Sequence, residues 1–208
     1  MESLVAQMNP HFIFNSLNSI ENFIMRNEKR TASEYLNKFS TLIRIILDSS
    51  RTQLVPFAKD FEAIKLYVEL KQLRFNNKFF FKTIIDPELL NGDYEAPPLL
   101  IQPYVENAIL HGLSQSESES LELQLTVALE GEYIIYTIED NGIGREQSTK
   151  YKEHNKPFYK SVGIQLTQER IDIFNYQRKA ESEVVITDLY NNNHESCGTK
   201  VRLKIKAV

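Results

Sequence analysis

Tryptophan is absent from this 208-residue chain, and cysteine occurs once, at Cys197. A single thiol cannot close an intramolecular disulfide and has no metal-type spacing around it, so a reducing compartment is expected. Glycine and proline are scarce, at seven each, which excludes collagen-like and low-complexity architectures. There is no basic excess either, and a formal net charge of −4 argues against a nucleic-acid-binding face. No apolar run approaches the roughly 18–20 residues of a membrane span, and no signal peptide precedes the first polar residues. What remains is an ordinary globular composition, 42% hydrophobic, with length for one large domain or two small ones.

The first 75 residues carry helical periodicity. Leu36, Phe39, Ile43, Ile46 and Leu47 recur at three- and four-residue spacing, and a second run follows Pro56 from Phe61 to Leu73. The polar stretch "RNEKRTAS" (26–33) suits a turn that ends in a Thr or Ser N-cap. Residues 3–50 therefore read as a helical hairpin and 57–75 as a further helix. A lone hairpin has too little core, so pairing with a second copy in a four-helix bundle is expected. After Asn76 the period shortens. Segments 78–85, 121–129, 132–139, 183–190 and 200–206 read as strands, with helical stretches at about 97–113 and 163–179. The expected class is α+β, an antiparallel sheet covered by helices on one face. The domain boundary is expected near residue 76, dividing the chain into 1–75 and 76–208.

"QMNPHFIFNSLNSIENF" (7–23) sets His11 after an Asn-Pro pair. On a helix, His11, Asn15, Asn18 and Asn22 share a narrow polar stripe, while Phe12, Ile13, Leu17, Ile20, Phe23 and Ile24 take the other side. Two readings stand: a surface histidine on a solvated face, or an accessible nucleophile, since a neutral imidazole is competent near physiological pH. Three further segments offer a place for its electrophile. "EDNGIG" (139–144) ends a strand; it is either a turn, or a site where the Asp140 carboxylate accepts from an exocyclic amine while Gly142 and Gly144 let backbone approach a flat ring. "PPLLIQPYVENAILHG" (97–112) places Asn107 and His111 one helical turn apart; this is a helix with a polar edge, or one whose amide oxygen ligates Mg²⁺. "SVGIQLTQERIDIF" (161–174) puts Gly163 where a helix begins, a possible phosphate seat. Before it, residues 145–160, with Lys150, Lys152, Lys156 and Lys160, read as a mobile flap or a surface loop.

The order of these motifs, "NPHFIFNSLN", "QPYVENAILHG", "EDNGIG", "SVGIQLTQERI" and a final "GT", resembles the LytS/YehU-like sensor histidine kinases from residue 7 to about 205. The connecting "VPFAKDFEAIKLYVELKQLRF" (55–75) is similar to that family's linking helix. The resemblance implies a dimeric helical phosphotransfer region followed by an α/β-sandwich ATP-binding domain of the GHKL (Bergerat) type. It implies His11 as phosphoacceptor, Asn107 as the magnesium ligand, and Asp140 as the reader of the adenine amine, with Gly142 and Gly144 beside the base. His111 would lie near the nucleotide, Gly163 with Arg170 at the lid, and Thr199 near adenine. Asn15 is placed to orient the imidazole; Glu106 is a candidate base or a structural residue. The implied cofactors are ATP and Mg²⁺. The implied partners are a second copy and a response regulator with a receiver domain.

The sequence departs from the wider pattern in places. Ser161 replaces the first glycine of the second glycine box, and Leu166 stands where that box has Asn. Phe12 occupies the place of an acidic residue after the phosphoacceptor, and Pro103 that of the carboxylate with which related ATPases activate water. The expected activity is autophosphorylation of His11 from ATP, followed by transfer to an aspartate. The alternatives are a nucleotide-binding scaffold without catalysis, or an ATP hydrolase, against which Pro103 speaks. A sensor does not fit before His11, so a cytoplasmic piece of an inner-membrane-anchored protein is expected.

Overall fold

The structure, a computed structural model, describes residues 10–153 and 162–208, with side chains described for 12–148 and 163–208. Helix α1 (Pro10–Met25) turns into α2 (Lys29–Ser49) at Asn27, whose φ of +60° reverses the chain. The Glu28 N–H reaches back 2.8 Å to the Phe23 carbonyl, closing a left-handed helix end. This reversal comes earlier than the sequence suggests. Thr31 and Ser33 therefore lie inside α2, and Glu28 precedes it without a side-chain cap.

Strand β1 (Val55–Pro56) leads into α3 (Phe57–Arg74), then β2 (Phe79–Ile85), the short α4 (Pro87–Asn91) and β3 (Glu95–Ala96), which pairs antiparallel with β1. Next come α5 (Gln102–Asn107), β4 (Leu121–Glu130), β5 (Tyr133–Asp140), α6 (Gly144–Glu153), α7 (Val162–Arg178), β6 (Glu183–Tyr190) and β7 (Ser196–Lys206). The chain is α+β, helices followed by an α/β sandwich.

The main sheet has the order β2-β4-β5-β7-β6 and is mixed. The expectation of an antiparallel sheet is corrected at one pair: β2 lies parallel to β4, from Phe79 opposite Leu121 to Ile85 opposite Val127. The reason is topological. The chain between them runs through α4, β3 and α5, a crossover that returns the strand in the same direction. The remaining pairs are antiparallel.

Period-two alternation sets the two faces of the sheet. Leu121, Leu123, Leu125 and Val127 of β4, Ile134, Tyr136 and Ile138 of β5, and Val201, Leu203 and Ile205 of β7 turn inward and are buried. Lys200, Arg202 and Lys206 of β7 turn outward and pair with Glu139, Glu130 and Glu132. Helix α3 packs on the inner face, where the Phe57 ring lies 6.2 Å from that of Tyr136. The hydrophobic core continues without a break across residue 75, from Phe12 and Phe23 through α3 to Ile205.

Residues 144–153 form a helix where the sequence reads as a flap or loop. No proline or further glycine interrupts them, so the backbone is free to coil. Lys156, Lys160 and Ser161 lie outside the described residues, as do the side chains of Lys150 and Lys152.

Candidate functional site

Six segments of the chain converge on one cavity of about 210 Å³. Its wall takes Tyr104, Asn107, Ala108, His111 and Gly112 from the "PYVENAILHG" segment, Ile138 and Asp140 from β5, and Gly144, Arg145 and Ser148 from the start of α6. Ile164 of α7, Ile186 of β6, and Thr199 and Val201 of β7 complete it.

The α5 helix does not end at Asn107. It continues through a π-helical turn, Ala108–Gly112, and a 3-10 turn, Leu113–Gln115. A π turn is rare and is frequently found at functional sites. Here it brings the Gly112 backbone against the end of β5. A Cβ on Gly112 would stand 2.5 Å from Asp140 Oδ1, and one on Gly142 would collide with the Gly112 backbone. Gly142 thus serves the packing of backbone on backbone and does not itself line the cavity, whereas Gly144 does.

Asp140 is 3% exposed. Burial pushes its pKa up to about 6, while the N–H groups of Gly142, at 3.0 Å, and of Thr199 draw it back by hydrogen bonding to the carboxylate. Asn141 ties the following loop to β4, accepting from the Glu122 N–H at 2.7 Å and donating to the Ser120 carbonyl at 2.8 Å. The result is one oriented carboxylate on an apolar shelf of Ile138, Ile164, Ile186 and Val201. A flat aromatic base with an exocyclic amine fits that combination. Asn107, which also lines the cavity, carries an amide oxygen. Among the described residues no group of three or more His, Cys, Asp or Glu could hold a metal ion. A Mg²⁺ ion here would take Asn107 and nucleotide phosphates as its ligands, and that donor set suits a hard cation that keeps its waters.

The structure therefore brings together Asn107, His111, Asp140, Gly144 and Thr199 from the sequence reading. It sets the others elsewhere. Gly163 is not in the cavity wall, although its neighbour Ile164 is. Arg170 points away: its guanidinium donates to the Pro98 carbonyl at 2.7 Å and faces the buried Asp60. Asp60 in turn accepts from the Leu99 N–H at 2.6 Å, where Leu99 takes a φ of +56°. Together Asp60 and Arg170 pin the left-handed turn that launches α5. Glu106 also turns from the cavity and lies 4.0 Å from the Lys71 ammonium.

Asn15 and His11 lie on α1, and the side chain of His11 is outside the described residues. The helix is rotated relative to the sequence reading. Phe12, Ser16, Ser19 and Phe23 form its buried edge, while Leu17 and Ile24, read as part of the apolar side, are 50% and 60% exposed. The small hydroxyls satisfy themselves on the helix, Ser16 donating to the Phe12 carbonyl at 2.9 Å and Ser19 to that of Asn15 at 2.8 Å. That makes them cheap to bury.

Sequence reasoning missed Tyr104, Arg145, Ser148 and the apolar wall residues Ala108, Ile138, Ile164, Ile186 and Val201. Inward alternation on β5, β6 and β7 could have found Ile138, Ile186 and Val201. Nothing local marks Ser148, which reaches the cavity only because residues 144–153 coil. Arg145 is held beside it by two 2.6 Å bonds to Asp188.

Comparison with known proteins adds an independent line. The sequence pattern of the histidine kinase family matches residues 1–79. The chain is similar to the sensor protein LytS of Oceanobacillus iheyensis, 34% identical over 161 residues, 77% of this chain and 27% of that one. It is similar to the sensor histidine kinase BtsS of Escherichia coli, 34% identical over 138 residues, 66% of this chain and 24% of the relative. It also matches YwpD of Bacillus subtilis, an uncharacterised protein, at 31% identity, covering 84% of this chain and 62% of that one. The chain thus spans about a quarter of the length of the LytS and BtsS relatives. Among solved structures, the Acinetobacter baumannii histidine kinase AdeS overlays with a TM-score of 0.48 at 13% identity, covering 99% of this chain and 98% of that one.

Proposed function

From the premise that this chain belongs with the LytS-like histidine kinases, we propose that it binds ATP in the α5–β5–β7 cavity and phosphorylates His11. One observation carries the reading: a buried, hydrogen-bonded carboxylate, Asp140, on an apolar shelf with Asn107 in the same wall, assembled from segments spread over more than 90 residues of sequence.

In this reading Asp140 accepts from the adenine amine, and the isoleucines and Val201 exclude water from the base. Asn107 would hold Mg²⁺, whose charge would offset that of the phosphate oxygens. A neutral imidazole nitrogen of His11 attacks the γ-phosphorus in line. The N–P bond forms as the bond to the ADP oxygen breaks, and the imidazole proton passes to solvent. Such transfers depend on positioning and electrostatics rather than on covalent help from the protein. The phosphoryl group then moves to an aspartate of a response-regulator receiver domain.

We further propose that residues 1–75 form the dimerising, acceptor-bearing part and 76–208 the nucleotide-binding part, and that the chain works on the cytoplasmic side of a longer, membrane-anchored protein. Among the described residues no helix is long and apolar enough to cross a membrane.

The test is phosphosite mapping after incubation with labelled ATP. Acid-labile, base-stable label on His11 is expected in the wild type. It should be absent in His11→Gln, whose ATP binding should persist. Undiminished label in His11→Gln would overturn the assignment.

A further inference from the structure

The residue that follows His11 and the residue that precedes Asn107 meet on one lysine. Lys71 of α3 has 4% of its side chain exposed, and its ammonium lies 4.0 Å from the Glu106 carboxylate. The same ammonium stands 5.6 Å from the centre of the Phe12 ring and 5.1 Å from that of Tyr67. Phe12 is itself buried against Tyr67, at 5.3 Å, and against Phe39, at 6.1 Å. Burial, and then the Glu106 charge, raise the pKa of Tyr67, whose buried hydroxyl has no hydrogen-bond partner among the described residues. A buried ammonium is costly without a counter-charge, and ring faces add attraction where water is excluded. The seat of Phe12 is therefore electrostatically tied to the placement of Glu106.

Resting on the phosphoryl-transfer reading above, we infer that Lys71 is a positioning residue that couples the nucleotide site to the acceptor helix. Its partners Phe12 and Glu106 are the sequence neighbours of His11 and Asn107. It acts on the neighbour of each. Nucleotide seated at Asn107 and Asp140 fixes α5 and with it Glu106; Glu106 fixes Lys71; and Lys71 with Tyr67 fixes the Phe12 ring, hence the first turn of α1. The spacing explains why Phe12 stands where an acidic residue is found in other kinases. At this position a ring can be gripped by a cation, whereas a carboxylate would compete with Glu106 for the same ammonium.

The test uses the whole chain and three variants: Lys71→Met, which keeps the side-chain length; Lys71→Met with Glu106→Gln, which leaves no lone buried charge; and Lys71→Arg. Three readouts are taken, namely the rate of His11 labelling, the Kd of a fluorescent ATP analogue, and amide exchange of residues 12–19 with and without ATP. Lys71→Met and the double variant should label about 10- to 100-fold more slowly, the size of loss that misplacing a reacting group gives. Their Kd should stay within about 3-fold of wild type, a kcat effect without a binding effect. Nucleotide should slow exchange in residues 12–19 of the wild type and of Lys71→Arg, and leave the two Met variants unchanged.

Wild-type labelling in Lys71→Met overturns the inference. So does recovery of the rate in the double variant, which would trace the defect to an unpaired Glu106. So does a nucleotide response in α1 that survives in both Met variants. If instead the wild type takes no label yet shows the exchange response, and Lys71→Met loses it, the phosphoryl-transfer reading falls while the coupling stands.

Discussion

Asp140 concentrates the chemistry at the residue scale, because one buried carboxylate both closes the loop and faces the cavity. A charge-assisted hydrogen bond to an amine needs the ionised form. Since burial holds its pKa at about 6, affinity for adenine nucleotides should weaken as pH falls through that value. Titration calorimetry across pH 5 to 8 tests this; Asp140→Asn should bind at least about 10-fold more weakly and lose the dependence, one charged hydrogen bond being worth about 1.5–3 kcal/mol. Asp60 behaves differently, because it meets protein rather than ligand. Burial, partly offset by the Leu99 N–H and by Arg170, raises its pKa to about 6 from an ordinary 3.8. Between about pH 4 and 6 the folded chain then holds a proton that the unfolded chain has lost. Stability contributed by Asp60 is therefore full below pH 4, declines as pH rises through the window, and levels off above it. The span is on the order of 3 kcal/mol. Asp60→Asn keeps an acceptor for Leu99 and should flatten the urea midpoint against pH over that range.

Elements carry information that single residues do not. The run "VENAILHG" reads as one helix, and periodicity places Asn107 and His111 on one edge of it. What periodicity does not register is the π turn, whose extra residue rotates Gly112 into contact with Asp140. Helix α1 illustrates the same limit. Its apolar residues cover more than one face, and the sequence alone cannot say which face meets α2 and α3. The structure buries Phe12, Ser16, Ser19 and Phe23 and leaves Phe14, Leu17, Ile24 and Met25 outside. Gly112→Ala tests the element-scale argument. The methyl cannot be housed without moving Asp140 or α5, so stability should drop by about 1–3 kcal/mol. Nucleotide binding should fall far more than that loss explains, as measured by thermal melts beside calorimetry.

At the scale of the whole molecule, the exposed side chains of Phe14, Leu17 and Ile24 on α1 and of Leu36 and Leu47 on α2 leave apolar area that no other described residue covers. We propose that a second copy covers it, and Leu17→Glu with Leu47→Glu should shift the sedimenting species from dimer to monomer without loss of nucleotide binding. The sequence by itself determined the class, the five strands of the main sheet and five of the cavity's residues, because period and a local motif are written into neighbouring positions. Only the tertiary structure decided the parallel β2–β4 pair, the left-handed Leu99 turn held by Asp60 and Arg170, and the turning of Glu106 from the cavity toward Lys71. Each of these depends on groups tens of residues apart competing for the same space and charge, and no local pattern records the outcome of that competition.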